Sequence, residues 1–190
     1  MKRKITIPIF IPHEGCPNQC IFCNQHLVTG MEQKKADYLD IISENVQKYL
    51  STAEKETEIE IAFFGGSFTG LSVPIQEELL KTAQNLKKNG TVQRIRLSTR
   101  PDYIDGTVLE RLISYEVSTV EIGVQSFDDR VLAAAQRGHS AADTENALTL
   151  IRASGLSLVI QLLPGLPFET RESAIASAKK AVSFRPDAVR

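Results

Sequence analysis

The hydrophobic pattern alternates along the chain between short β-branched runs and longer segments with helical spacing. Residues 4–11 (KITIPIFI) are typical of a strand, and residues 37–51 place apolar side chains three and four positions apart, which predicts an amphipathic helix. The same pattern predicts strands over residues 58–64, 92–98, 119–124 and 156–163, and a strand that starts at 187–190. It predicts helices over residues 106–115, 128–135, 141–153 and 170–183, and one that begins near Pro74 and closes at Asn89-Gly90.

Strands that alternate with helices indicate right-handed βαβ units and a parallel sheet. Five strands and the start of a sixth predict a barrel-like α/β fold. We expect a single domain, because 190 residues are enough to bury one core and the chain has no long linker. Because the pattern reaches Arg190 within a strand, we also expect the chain to be truncated in its sixth strand.

Composition excludes several classes of protein. The formal net charge is −1 and 42% of the residues are hydrophobic, which is ordinary for a globular protein and gives no global basic field for nucleic acid. No apolar run is long enough to span a bilayer, and the basic start lacks a cleavage-site pattern. We therefore expect a cytoplasmic protein that does not act in a membrane.

The three cysteines lie within eight residues, as Cys16, Cys20 and Cys23. An odd number at C-x3-C-x2-C spacing is a poor disulfide framework, so ligation of a metal centre is the better interpretation. One possibility is an iron–sulfur cluster in which one iron lacks a protein thiolate. The other is zinc, with His13 or His26 as a fourth ligand.

The residues that carry chemistry cluster where the predicted strands end. In parallel α/β folds, active sites lie at the carboxyl ends of the strands. The cysteine loop follows the first strand, Gly65-Gly66-Ser67-Phe68 the second, Ser98-Thr99-Arg100-Pro101-Asp102 the third, Gln125-Ser126 the fourth and Pro164-Gly165-Leu166-Pro167 the fifth.

Residues 13–25 (HEGCPNQCIFCNQ) resemble the cluster loop of radical S-adenosylmethionine (SAM) enzymes, with an aromatic residue before the last cysteine. The resemblance extends from Ile7 to about Pro167, through motifs similar to those of the Elongator catalytic subunit and the oxygen-independent coproporphyrinogen oxidases. These motifs are GGSF at 65–68, TRPDY at 99–103, EIGVQS at 121–126, RGH at 137–139 and GLP at 165–167.

This resemblance implies a partial (β/α)6 TIM-like barrel of radical SAM type, of which residues 1–190 would be the N-terminal part. It implies a 4Fe–4S cluster on Cys16, Cys20 and Cys23, with SAM chelating the fourth iron. In the family, one electron from the cluster cleaves SAM to methionine and a 5′-deoxyadenosyl radical, which acts on a substrate. The family also implies an electron donor such as a flavodoxin or ferredoxin.

The resemblance also assigns residues to SAM. The backbone at Phe22 would approach the adenine, the carbonyl groups of Gly65 and Gly66 would accept from the amino group, and Arg137 would pair with the carboxylate. The remaining contacts would be Gln125 and Ser126 near the ribose and carboxylate, Leu163 in the adenine pocket, and Gln161, which stands where relatives carry an acid or a histidine.

Several alternatives stay open at the level of sequence. The substrate could be tRNA, as for the Elongator-like relatives, or a small molecule, as for the oxidases. Arg100 and Asp102 could contact substrate or form a buried ion pair, and His139 could pack or cap a helix. The chain could instead be a zinc-binding module that interacts with RNA, or a cluster-bearing electron-transfer protein.

Overall fold

A computed structural model of the chain describes residues 3–11, 16–23, 38–54 and 56–190. These residues form a parallel six-stranded sheet with helices between the strands, and the strand order is β1-β2-β3-β4-β5-β6. The strands are β1 (Lys4–Ile11), β2 (Glu58–Gly65), β3 (Arg94–Thr99), β4 (Thr119–Gln125), β5 (Ser157–Leu162) and β6 (Ala188–Val189). The helices are α1 (Tyr38–Leu50), α2 (Val73–Lys88), α3 (Gly106–Ser114), α4 (Asp129–Ala134), α5 (Ala141–Ser154) and α6 (Arg171–Ser183).

The predicted fold class is confirmed, and the largest difference in an element's bounds lies at the start of β3. The strand begins at Arg94 and not at residue 92. The amide of Val92 donates to the carbonyl of Leu86 in α2, so it belongs to the turn that closes the helix. The amide of Gln93 then donates to the carbonyl of Ile59, which begins the pairing with β2.

The two faces of the sheet differ sharply in polarity because successive side chains point to opposite sides of a strand. The outer face carries the β-branched and aromatic residues, such as Ile7 and Phe63, and packs with Leu79 and Leu148 of the helices in one apolar core. The opposite, inner face carries charged and polar residues in the first half of the strands and opens into a cavity at their carboxyl ends.

Two buried carboxylates lie on this inner face. Glu60 is 1% exposed and Glu121 is 2% exposed, and both occupy the third position of their strands. Arg96 pairs with both of them, and the register places it between β2 and β4. We call this group the charged layer, which consists of Lys4, Glu60, Arg94, Arg96, Glu121 and Arg190. Ser98 and Gly123, which line the cavity, follow Arg96 and Glu121 by two positions on their strands, so the charged layer adjoins the cavity.

No helix in the described segments is both long enough and apolar enough to cross a membrane.

Candidate functional site

The cavity lies where the strands end, as the sequence predicts. It collects the three cysteines and side chains or backbone from the ends of β2, β3, β4 and β5. Its lining consists of Cys16, Asn18, Cys20, Phe22, Cys23, Gly65, Gly66, Ser67, Ser98, Thr99, Arg100, Gly123, Gln125, Arg137 and Gln161.

Six of the eight residues assigned to SAM lie in this lining, and Ser126 and Leu163 lie outside it. The Ser126 hydroxyl accepts from the Asp128 amide at 3.2 Å and lies 3.3 Å from the Ser177 hydroxyl, which ties the end of β4 to α6. Leu163 packs against a small apolar cluster that contains Val131. Contact of these two residues with SAM stays a prediction.

The cysteine loop is held in place by backbone hydrogen bonds. The amide of Cys23 donates to the carbonyl of Cys20 at 2.9 Å, and the amide of Ile21 donates to the carbonyl of Ala135, after α4, at 3.2 Å. None of the three cysteines forms a disulfide, and Cys20 is only 7% exposed. All three cysteines line the cavity, where their thiols are potential ligands.

The zinc alternative needs thiolates close enough together to share one ion. Thiolates that share one tetrahedral zinc ion lie within about 4 Å of each other. Across residues 3–11, 16–23, 38–54 and 56–190, no group of three histidine, cysteine or carboxylate side chains is arranged to hold one ion. His13 and His26, the fourth ligands of the zinc alternative, lie outside the described residues.

A larger, anionic cofactor fits the same cavity. Three of its lining residues carry buried polar atoms with no hydrogen-bond partner among the described residues: Nη1 of Arg100, Nε of Arg137 and Oε1 of Gln125. Such atoms are rare in folded proteins and indicate a missing partner. The positive charges of the two arginines suit a cluster bound by thiolates, so the residues present fit a 4Fe–4S cluster and SAM.

Burial and neighbouring groups act in opposite directions on the pKa of the Cys16 thiol. Burial raises the pKa of the Cys16 thiol above its ordinary value, because the thiolate form loses solvation. The Arg100 charge and the backbone amide of Ser67 oppose this rise by stabilising the thiolate. Without a cofactor, Cys16 therefore favours the protonated form at neutral pH.

Glycine is required at position 65 on two grounds. Gly65 has a φ of +104°, which side chains rarely adopt, and a Cβ there would lie 2.6 Å from the carbonyl oxygen of Ile11. The amide of Gly66 donates to that same oxygen at 2.6 Å. The two glycines thus join the ends of β1 and β2 and leave bare backbone facing the cavity.

Arg137 is a buried cation of the site that is anchored by its neighbours. It is 7% exposed, and its Nη2 donates to the carbonyl of Gly123 at 2.5 Å while Nη1 lies 3.4 Å from Cys20 Sγ. Its guanidinium group also lies 6.0 Å from the centre of the Phe22 ring. A Cβ on Gly123 would lie 2.8 Å from Arg137 Nη2, so the glycine makes room for the arginine.

Gln125 and Gln161 approach the cavity from neighbouring strands. Gln125 has a φ of +68° and lies at an irregularity where the register of β4 with β5 shifts. Gln161 is paired in register with Gly123, so its side chain shares the inner face. The sequence places Ser98 among the strand-end residues but assigns no individual role to it or to Asn18, and both line the cavity. Ser98 follows Arg96 on the inner face by simple alternation.

The structure shows an ion pair between Arg100 and Asp102 and also places Arg100 in the cavity lining. The two interpretations that the sequence leaves open are therefore not exclusive. Asp102 is outside the lining.

His139 is buried beside the site without a partner for either ring nitrogen in the described part of the chain. Burial, with a further contribution from the Arg137 charge, lowers the pKa of His139 to about 4. It follows Gly138 and precedes Ser140, which caps α5. His139 is thus neutral in the folded protein at neutral pH.

This burial makes stability depend on pH. The unfolded chain binds a proton on His139 near pH 6.5, whereas the folded chain does so only near pH 4, so the folded state loses stability as the pH falls between these values. We expect this residue alone to cost about 2 kcal/mol between about pH 7 and about pH 5. Urea denaturation of the wild type and His139→Gln at both pH values measures the difference. An equal loss of stability in both proteins would contradict the prediction.

Comparison with known proteins identifies the family of this chain. The family model for the radical SAM superfamily matches residues 10–181. The tRNA uridine(34) acetyltransferase of Dehalococcoides mccartyi (strain CBDB1) is 25% identical over 207 residues, covering 92% of this chain and 45% of that protein. The heme chaperone HemW of Escherichia coli (strain K12) is 25% identical over 193 residues, covering 98% of this chain and 50% of that protein.

Solved structures share the fold. The archaeal Methanocaldococcus infernus Elp3 with an N-terminal deletion superposes with a TM-score of 0.75 at 22% identity, covering 100% of this chain and 45% of that one. Coproporphyrinogen III oxidase (HemN) from Escherichia coli, a radical SAM enzyme, gives a TM-score of 0.68 at 22% identity, covering 99% of this chain and 44% of that one.

The chain spans about half the length of the curated relatives it matches. The family match covers most of the chain, and the predictions of a 4Fe–4S cluster and SAM as cofactors are confirmed at the level of the family. The chain belongs to the radical SAM superfamily.

Proposed function

We propose that this protein is a radical SAM enzyme whose cluster is held by Cys16, Cys20 and Cys23 and whose SAM lies in the cavity at the strand ends. The observation that carries this proposal is the convergence on one cavity of two buried arginines and three cysteines that form no disulfide. In this proposal, residues 1–190 supply the core of the catalytic machinery.

The bound cluster and SAM together supply one-electron reductive cleavage of a carbon–sulfur bond, while the protein binds, orients and shields them. Arg137 is the residue best suited to hold the SAM carboxylate, since Nε has no partner in the described residues and the other two nitrogens fix the guanidinium plane. The backbone of Gly65 and Gly66, which lines the cavity, suits the amino group.

The ribose and adenine would lie toward β4 and β5. Gln125 Oε1 has no partner among the described residues and could accept from a ribose hydroxyl, and Gln161 can donate and accept on the neighbouring strand. An amide at position 161 replaces the acid or histidine of similar enzymes, so it would hold the ribose through neutral hydrogen bonds. Phe22, Ser126 and Leu163 complete the proposed SAM contacts.

For the substrate, we propose only a chemical class. The names of the matched relatives include tRNA uridine 34 and coproporphyrinogen III, so an RNA base and a small molecule are the two candidates. We propose a flavodoxin or ferredoxin as the source of the electron and the cytoplasm as the compartment, because a reducing environment keeps the three thiols available.

Replacement of Arg137 by glutamine tests the SAM site. Losing a hydrogen bond to a charged group typically costs about 1.5–3 kcal/mol, so we expect SAM affinity to fall about 10- to 100-fold. Equilibrium dialysis of labelled SAM against the reconstituted protein measures the affinity. Iron per chain is measured in parallel, because Arg137 also lies near Cys20.

Arg130→Gln is the matched control, since this arginine lies in α4 near the same end of the sheet but stacks on the exposed Phe168 ring at 4.7 Å. It should bind SAM like the wild type. Unchanged SAM affinity in Arg137→Gln with a full iron content would contradict the proposed role of Arg137.

A further inference from the structure

The Arg100 side chain is a buried cation that the proposed SAM contacts do not use. It is 2% exposed, and one edge of its guanidinium group makes two parallel hydrogen bonds. Nε donates to Asp102 Oδ1 at 2.9 Å, and Nη2 donates to Asp102 Oδ2 at 3.0 Å. On the other edge, Nη1 is buried and has no hydrogen-bond partner among the described residues. A buried charged donor without a partner is costly and needs an explanation.

The position of Arg100 supplies that explanation. Arg100 lines the cavity with the three cysteines, whereas Asp102 lies outside the lining and is 24% exposed. The ion pair is therefore oriented with its positive partner toward the cysteines and its negative partner toward solvent. Water screens the charge of Asp102 more than that of Arg100.

The backbone around Arg100 is also fixed. The amide of Arg100 donates to Ser67 Oγ at 3.3 Å, and this hydroxyl lies 2.8 Å from Thr99 Oγ1. The Thr99 hydroxyl in turn lies 2.5 Å from Thr69 Oγ1. These buried hydrogen bonds tie the end of β3 to the segment after β2. They fix the backbone of Arg100, and the ion pair with Asp102 fixes its guanidinium group.

We propose that Arg100 presents a fixed positive charge to the cluster on Cys16, Cys20 and Cys23 and thereby raises its reduction potential, with Asp102 as the positioning residue. This inference rests on the proposed function. Reduction adds one negative charge to the cluster, and a nearby cation stabilises the reduced form more than the oxidised form. Arg100 and the three cysteines line the same cavity, so its charge lies on the side that would face the cluster.

The test is a redox titration of the reconstituted cluster in the absence of SAM, followed by EPR. Arg100→Gln should lower the equilibrium constant for one-electron reduction about tenfold, as expected for one unit charge at close range, which corresponds to a fall of about 59 mV. Arg100→Lys keeps the charge and should stay within about twofold of the wild type.

The matched control is Arg152→Gln. It removes the same charge from an ion pair with Asp187, but it lies in the last turn of α5, toward the amino-terminal end of β5 and away from the cavity. Its potential should equal that of the wild type.

The outcomes separate this inference from the proposed function. Iron and sulfide per chain are measured first, and a wild-type chain that takes up no cluster would overturn both. A loaded Arg100→Gln protein with an unchanged potential would overturn the role of Arg100 alone. An equal fall of the reduction potential in Arg100→Lys and Arg100→Gln would also overturn the proposed role of Arg100. The potential would then depend on the shape of the side chain and not on its charge. If Arg100→Gln does not load, Arg100→Lys must still load at the wild-type potential, and its failure to do so would contradict the proposal.

Discussion

Replacement of Cys20 by serine should abolish cluster binding. Cys20 is the most deeply buried of the three cysteines and lies 3.4 Å from Nη1 of Arg137. The chain contains three cysteines in all, so no other thiol can take its place. A serine hydroxyl stays protonated at neutral pH and is a poor ligand for iron, because these clusters require thiolates. We expect the iron content after anaerobic reconstitution to fall to background.

The measurement is iron and sulfide per chain, with the visible absorbance of the cluster as a second readout. Ile21→Ser is the matched control, because it makes the same polar replacement in the same loop at a side chain that is 52% exposed. Ile21 donates to Ala135 through its backbone amide, so the replacement should leave the conformation of the loop unchanged. A full cluster in Cys20→Ser would contradict the assignment of this cysteine as a ligand.

Replacement of Glu121 by alanine should destabilise the fold by about 3–5 kcal/mol. Glu121 is 2% exposed and holds two cations of the charged layer, Arg96 and Arg190. The Arg96 side chain is only 16% exposed, so removal of its carboxylate leaves a largely buried positive charge with incomplete compensation. Removing one partner of a buried ion pair lowers the free energy of unfolding by more than the intact pair contributes to it.

Urea denaturation without cofactors measures the effect. The control is Glu54→Ala, which removes a carboxylate from a surface pair with Arg3 whose side chains are 62% and 69% exposed, and it should cost less than about 1 kcal/mol. The double variant Arg96→Met with Glu121→Leu should recover much of the loss, because it removes both charges together. Equal stability of Glu121→Ala and Glu54→Ala would show that the charged layer does not stabilise the sheet.

The order of strands and helices was predictable from sequence because each strand is a short β-branched run closed by a clear turn. The placement of chemistry at the strand ends was predictable for the same reason, since parallel strands bring their carboxyl ends to one edge. Cys16, Gly65 and Arg137 therefore come together in the cavity as expected.

Partners across the sheet were not predictable, because they depend on register. The alternation of Glu60 with Ile59 and Ile61 marks two faces, but the sequence does not say that Arg96 lies between the carboxylates of β2 and β4. The positive φ of Gln125 likewise follows from an irregularity between β4 and β5 that has no local signal. Leu163 was assigned to the adenine pocket from a motif, whereas its packing with Val131 depends on where α4 lies.

The most direct test of the central claim is an EPR spectrum of the anaerobically reconstituted and reduced protein, recorded with and without SAM. We predict a cluster signal whose shape changes when SAM is added, because the three cysteines leave one iron open to it. Arg137→Gln should need about 10- to 100-fold more SAM for the same change. A cluster signal that is indifferent to SAM would favour an electron-transfer protein. A protein that binds zinc tightly and assembles no cluster would contradict the account.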